Sequence, residues 1–214
     1  MSLSKDNRLL ILLRRGGIVV LCHFLIGLCI AVILWAKLGS DPCTTMNVGI
    51  SNHLPISFGT WSMLFNAAML LIVFFFDRTK LGIGTVSNMI VVGYSADFGC
   101  WLIDRFLPQG PLVDSLIFRL AICLPVLALF ILIVAVYLSM DVGVAPYDAM
   151  PYIITNRIGH LSFSLVRTVW DVTALVIGVV LGADFGIVTL IMAFSLGSVI
   201  SWVTGLVSRF FSHI

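Results

Sequence analysis

The chain has 214 residues, of which 60% are hydrophobic and only 10% are charged, and its formal net charge is +2. A soluble domain is typically about 45–50% apolar and about 25% charged, so this chain lacks the polar residues that cover a globular surface. It belongs in a lipid bilayer. No run of Lys and Arg is long enough to follow a phosphate backbone, which excludes nucleic acid as the main partner.

Six apolar segments are long enough to span a membrane, because about 30 Å of hydrocarbon takes about 20 helical residues. In chain order they are Gly17 to Ala36, Phe58 to Phe76, Leu81 to Leu102, Leu120 to Leu138, Ser164 to Leu181 and Phe185 to Val207. We therefore predict an all-α polytopic membrane protein in which residues 1–214 form a single membrane domain.

The distribution of Lys and Arg predicts the orientation, because loops rich in these residues stay on the cytoplasmic side. With the N-terminus inside, the cytoplasmic face carries eight bases: Lys5, Arg8, Arg14, Arg15, Arg78, Lys80, Arg157 and Arg209. The outer face then carries three, Lys37, Arg105 and Arg119. We predict a multi-pass protein with both termini cytoplasmic.

An internal repeat appears when the sequence is shifted by 104 residues. The shift pairs glycines, prolines, asparagines and arginines in collinear order, including Gly39 with Gly143, Pro42 with Pro146, and Gly82 with Gly186. The two units cover about 15–107 and 119–211 and contain three spans each, so the second unit crosses the membrane in the opposite sense. Inverted repeats are typical of secondary transporters, although duplication is also a simple way to make a six-helix bundle.

A short polar segment follows the first span of each unit and predicts a broken or re-entrant helix. Asp41 and Pro42 fit the N-cap and first position of a helix that includes Thr44, and Pro146 starts its counterpart, with Asp148 in the first turn. We expect these helices to end near Asn52 and Asn156. Their N-terminal amides could bind a polar group inside the membrane, or the helices could lie flat at the headgroups.

The sequence also resembles a known group of proteins. The A-x-L-G-x-x-P block at Ala36 to Pro42 and the L-G-x-G-T block at Leu81 to Thr85 are similar to those of bacterial YczE-like integral membrane proteins, related to the YitT group. Such proteins commonly carry Trp-Asp after the proline, where this chain has Cys43-Thr44. The resemblance implies a bacterial inner-membrane protein, generally named a membrane protein or permease, and supplies no substrate.

Polar residues inside the spans are the remaining candidates for a site, since an ionisable group at this depth needs a partner or a wet cavity. Arg167 and Asp171 are spaced to pair along one helix face, either as a structural ion pair or as a site for substrate or coupling ion. With a one-residue gap in the repeat, Asp171 corresponds to Asn66, and Asn88 lies near the same depth. Asp97 faces the protein interior, in a cavity or in a structural hydrogen bond.

These features predict a small-solute transporter or permease with a midplane site between the repeats. The alternative is a non-transporting accessory or scaffold protein. We find no catalytic motif and expect neither enzymatic activity nor a metal or other cofactor. The charge of the small-molecule or ion substrate stays open, and a G-x-x-x-G at Gly178 and Gly182 offers a homodimer contact. The candidate substrate-binding residues are Asp41, Pro42, Thr44, Asn66, Asn88, Asp97, Pro146, Asp148, Arg167 and Asp171.

Overall fold

The computed structural model describes residues 5–107 and 115–211, and the regular structure in these ranges is helical. The α-helices are α1 (Lys5–Ala36), α2 (Pro42–Ser51), α3 (Phe58–Phe76), α4 (Ile83–Ser87), α5 (Gly93–Phe106), α6 (Leu116–Ser139), α7 (Pro146–Ile158), α8 (Phe163–Val180) and α9 (Ile187–Phe211). A 3-10 turn, Arg78–Lys80, precedes α4, and a π-helical turn, Asn88–Val92, joins α4 to α5.

Within residues 5–107 and 115–211, five helices are long and apolar enough to cross a membrane. They are Ile11–Ala36, Phe58–Phe76, Ile83–Phe106, Leu116–Ser139 and Phe163–Val180, which match the first five predicted segments to within a few residues at most ends. The first helix begins earlier than predicted, within the basic N-terminal segment. The predicted sixth segment begins two residues before α9, a helix of 25 residues that covers the rest of it.

The main core forms where α1 packs against α5 and α6, and α6 packs against α9. Val19, Ile26 and Ile33 of α1 meet Leu127 and Phe130 of α6 in one continuous cluster of buried side chains. Half of the apolar stretch of α1 is buried in this way, against 17% for α3 and α8. The first helix of each predicted unit is therefore central, whereas α3 and α8 expose most of their surface.

The turns after α1 and α6 have the same backbone conformation. Lys37 and Asp141, 104 positions apart, have φ angles of 51° and 50°. Two residues later, Gly39 and Gly143 have φ angles of 88° and 107°, which side-chain-bearing residues rarely adopt. A Cβ atom on either glycine would also collide with the backbone of a neighbouring segment. Glycine is therefore required at both positions for two separate reasons.

The same turns make matching backbone hydrogen bonds. The amide of Gly84 donates to the carbonyl of Val142 at 2.9 Å, and the amide of Val188 donates to the carbonyl of Leu38 at 3.1 Å. Gly84 and Val188 are 104 positions apart, as are Leu38 and Val142. Each turn thus contacts the start of the third helix of the other unit.

Two arginines show the same reciprocal pattern. Arg15 Nη1 lies 3.5 Å from the carbonyl oxygen of Met140, and Arg119 Nη1 lies 3.4 Å from that of Ala36. Both pairs again differ by 104 positions. Each guanidinium thereby approaches carbonyl groups at the C-terminal end of a long helix, where the helix dipole favours a cation.

Candidate functional site

The helix α2 begins as the sequence predicts. Asp41 has an extended backbone, and its carboxylate accepts a hydrogen bond from the Thr44 amide at 3.0 Å. Pro42 occupies the first helical turn, where its missing N–H costs nothing. The helix ends at Ser51 with Asn52 as its C-cap, also as predicted.

The helix α7 begins at Pro146, with Asp148 in its first turn, which confirms both predictions. Its end was predicted near Asn156 but lies two residues later, at Ile158. The reason is Gly159, which adopts φ 70° and closes the helix with a left-handed C-terminal residue.

The helix α2 runs alongside the second half of α8. Near its start, Met46 shares a buried cluster with Trp170 and Ala174 of α8. One turn later the backbones of Gly49 and Gly178 approach so closely that neither position has room for a Cβ atom. Beyond the helix, His53 Nε2 lies 3.1 Å from the carbonyl oxygen of Leu181, at the end of α8. The N-terminus of α2 therefore lies beside the middle of α8.

The helix α7 runs alongside α3 in the same way. Tyr147 belongs to the cluster that contains Phe65, in the middle of α3. Further along, Ala149 and Ile153 pack against Val73. The guanidinium carbon of Arg157 lies 4.8 Å from the ring centroid of Phe76, the last residue of α3. The N-terminus of α7 therefore lies beside the middle of α3.

The N-termini of the two short helices meet between α3 and α8. Met46 of α2 and Tyr147 of α7 are in one buried cluster, and Cys43, Phe65 and Trp170 pack against it. Charged side chains adjoin this apolar contact, because the Tyr147 hydroxyl donates to Asp171 and because Asp41 caps the helix that carries Cys43 and Met46. We call the whole group the central cluster: Asp41, Cys43, Met46, Phe65, Tyr147, Asp148, Arg167, Trp170 and Asp171.

Arg167 links the charged part of the central cluster. Its Nε lies 2.7 Å from Asp171 Oδ2, and its Nη1 lies 2.7 Å from Asp148 Oδ1. The Tyr147 hydroxyl donates to Asp171 Oδ1 at 2.8 Å, so both oxygens of that carboxylate are bonded. The predicted pair of Arg167 and Asp171 is confirmed. The sequence did not predict the ion pair of Asp148 with Arg167 or the hydrogen bond of Tyr147 to Asp171. Both contacts depend on where α7 docks.

Asp41 extends the charged group from the α2 side. Its carboxylate accepts a hydrogen bond from the Thr44 amide at 3.0 Å and so stays at the N-terminus of α2, the end that meets α7. Asp41 and Asp148 start different helices in different halves of the chain. The two side chains join one cluster because the N-termini of α2 and α7 meet.

Three buried polar atoms on the helices that form the central cluster have no hydrogen-bond partner among the described residues. Asn47 donates from Nδ2 to the carbonyl oxygen of Cys43 at 2.9 Å, but its Oδ1 is unpaired. Asn66 donates to the Ser62 carbonyl oxygen at 2.9 Å, and its Oδ1 is also unpaired. The third atom is the indole nitrogen of Trp170. Buried polar atoms normally have partners, so these atoms are available to a bound molecule.

Two predicted site residues lie elsewhere in the fold. Asp97 Oδ1 accepts a hydrogen bond from the Gly59 amide at 3.0 Å, which joins α5 to the first turn of α3. Of the two interpretations of Asp97, the structure therefore favours the hydrogen bond. Asn88 is half-buried at the start of the π-helical turn. The G-x-x-x-G glycine Gly178 packs against α2 of the same chain, and Gly182 has open space around it.

The comparisons with known proteins agree with the resemblance seen in the sequence. The chain is 28% identical to an "Uncharacterized protein" of Haemophilus influenzae over 193 residues, which are 90% of this chain and 84% of that one. It is 25% identical to the "Uncharacterized membrane protein YczE" of Bacillus subtilis over 173 residues, 81% of this chain and 73% of that one. No solved structure matches. Residues 13–205 match the model of a family of unknown function, DUF6198, and the chain belongs to this family.

Proposed function

We propose that the protein is a small-solute transporter of the bacterial inner membrane, built from two inverted three-helix repeats. The central cluster is its substrate site, between the two halves and near the midplane. In many secondary transporters the half-helices of inverted repeats direct their N-termini at a midplane site, and the halves rock around it. The arrangement of α2 and α7 fits this design.

The observation that carries the proposal is the path of the two short helices. Each begins beside the middle of a membrane-length helix, α8 or α3, and ends beside the terminus of that helix. A helix lying flat at the headgroups would expose one polar face, yet seven of the ten residues of α2 are buried. This favours helices that enter the membrane from its two faces and meet inside.

The reciprocal contacts support the repeat. Gly39 approaches Thr189, and Gly143 approaches Thr85, so the partners exchange when each number is shifted by 104. Duplicated units related by a two-fold axis would produce such exchanged pairs. With six spans in all, three spans in each unit make that axis lie in the membrane plane.

The contacts of the short helices also support the gap in the repeat. Thr45 and Gly49 contact Gly178, whereas their counterparts Ala149 and Ile153 contact Val73. The two contacts correspond only if one residue is skipped between the short helix and the following span. In that register Asn66 corresponds to Asp171, so each half carries a polar residue at the matching position of a helix that borders the central cluster.

The proposal is tested first by flux. The purified protein is reconstituted into liposomes, and entry of urea, glycerol, methylammonium chloride and guanidinium chloride is followed by stopped-flow light scattering. We expect at least one of these solutes to enter several-fold faster than into protein-free liposomes. Folded protein that moves none of them would favour the accessory or scaffold alternative.

A second test needs no substrate, because Cys43 belongs to the central cluster. A variant that keeps only Cys43 is treated with a membrane-impermeant thiol reagent in vesicles of either orientation. A transporter that alternates between two open states exposes Cys43 to both faces in turn, so slow labelling from each side is expected. The matched control keeps only Cys123, which is completely buried in the core around α6 and should stay unlabelled. No labelling of Cys43 from either side would refute alternating access.

A further inference from the structure

We propose that the central cluster binds a small monovalent cation that carries N–H donors, such as ammonium, a primary amine or guanidinium. This inference rests on the proposed function, because it names the substrate class of the same site. Three features of the cluster support it: its charge balance, its unpaired acceptors and its aromatic surface.

The charge balance leaves the site negative. Asp41, Asp148 and Asp171 bring three carboxylates to the cluster, and Arg167 brings one positive charge. The two helix N-termini add about half a positive charge each. With all three acids ionised, the sum is about one negative charge, next to Arg167 and Asp171 side chains that are only 34% and 19% exposed, where a charge favours a partner. One bound monovalent cation makes the cluster neutral, whereas one bound monovalent anion would double its net negative charge.

The unpaired acceptors specify what the cation carries. Asn47 is 2% exposed and Asn66 is 6% exposed, and each has an unpaired Oδ1 atom. Asn47 lies against the cluster because its amide nitrogen also lies 3.4 Å from Cys43 Sγ. Asn66 directly follows Phe65, which packs on the cluster. Amide oxygens accept hydrogen bonds, so a cation with N–H groups fits them better than an anion or a quaternary ammonium ion.

The aromatic surface favours an organic cation or ammonium over a metal. The rings of Tyr147 and Trp170 lie 5.5 Å apart between centroids, and Phe65 packs on the same cluster. Aromatic faces attract poorly hydrated cations at desolvated sites. In the described part of the chain, no group of three His, Cys, Asp or Glu side chains is arranged to hold a metal ion. The three carboxylates are thus too dispersed for a divalent metal.

The experiment compares guanidinium with urea, because the two have nearly the same planar shape and differ in charge. Binding of each to the detergent-solubilised protein is measured by thermal shift and by isothermal titration calorimetry, in a background of sodium chloride at pH 7 and pH 8. We expect saturable binding of guanidinium and methylammonium chlorides, and none of urea or sodium acetate. Equal binding of urea and guanidinium, or saturable binding of neither cation, would overturn the inference.

Two variants link binding to the site. Asp41→Asn keeps an efficient N-cap and removes the charge, so the protein should fold and bind guanidinium about tenfold or more weakly. Asn66→Leu removes an unpaired acceptor and should also weaken binding. The matched control is Asp104→Asn, which neutralises an exposed carboxylate on α5 and should leave the affinity unchanged. Equal losses in Asp104→Asn and Asp41→Asn would show that the cation binds by general attraction only.

The outcome also separates this inference from the transport proposal. Saturable cation binding without flux in liposomes would uphold the inference and refute transport. Flux of a neutral or anionic solute by a protein that binds no cation would uphold transport and refute the inference.

Discussion

Arg167 is the residue whose loss should cost the most stability in the central cluster, because it is the shared partner of two carboxylates. Breaking a fully buried ion pair costs about 3–5 kcal/mol, and breaking a surface pair costs about 0.2–1 kcal/mol. The side chain of Arg167 is 34% exposed and that of Asp171 is 19% exposed, between these limits. We therefore expect Arg167→Met, which keeps the apolar stem, to lower the free energy of unfolding by about 2–3 kcal/mol.

A double-mutant cycle isolates the pair of Arg167 and Asp171. Asp171→Asn removes the charge and keeps an acceptor for the Tyr147 hydroxyl, so we expect a loss of about 1–2 kcal/mol. The double variant should be about 1–2 kcal/mol more stable than the sum of the single losses, because no charge is then left without this partner. Reversible denaturation by SDS in mixed micelles, followed by tryptophan fluorescence, gives the four free energies.

The control for this cycle is Arg157→Met. Arg157 lies over the ring of Phe76 near the end of α7, so its loss should cost at most about 1 kcal/mol. Its combination with Asp171→Asn should be additive within about 0.5 kcal/mol. If the losses for Arg167 and Asp171 are additive as well, the pair contributes no coupling and our account of the cluster is wrong.

Three further predictions concern the framework around the cluster. Gly39→Ala combines an unfavourable φ of 88° with a steric clash, so it should lower stability by about 2–4 kcal/mol in the same assay, whereas Gly17→Ala, with open space around it, should cause no loss. In a cysteine-free background, His53→Cys should be labelled by impermeant reagents only from outside and His160→Cys only from inside, and labelling from one common face would contradict the inverted arrangement. Asp97→Ala should cost about 0.5–2 kcal/mol through loss of its bond to an amide of the first turn of α3, without changing guanidinium affinity, and altered affinity would mean that Asp97 belongs to the site.

Local chemistry explains why the short helices could be predicted from the sequence. An Asp-Pro pair satisfies helix-start requirements through atoms of its own segment, and the structure gives α2 the predicted N-cap and C-cap. The same holds for Arg167 and Asp171, because residues four apart on a helix are neighbours whatever surrounds them. The end of α7 was predicted two residues too early, because it depends on the left-handed conformation of Gly159.

The sequence by itself determined that this chain is a helical membrane protein, because span length and hydropathy depend only on the order of apolar residues. The tertiary structure decided which polar residues meet. Asp148 reaches Arg167, and Tyr147 reaches Asp171, because α7 docks along α3 with its N-terminus toward α8. Asp97, also an ionisable residue within a predicted span, instead holds the start of α3. Contacts between distant segments depend on how the helices pack, and hydropathy carries no information about that packing.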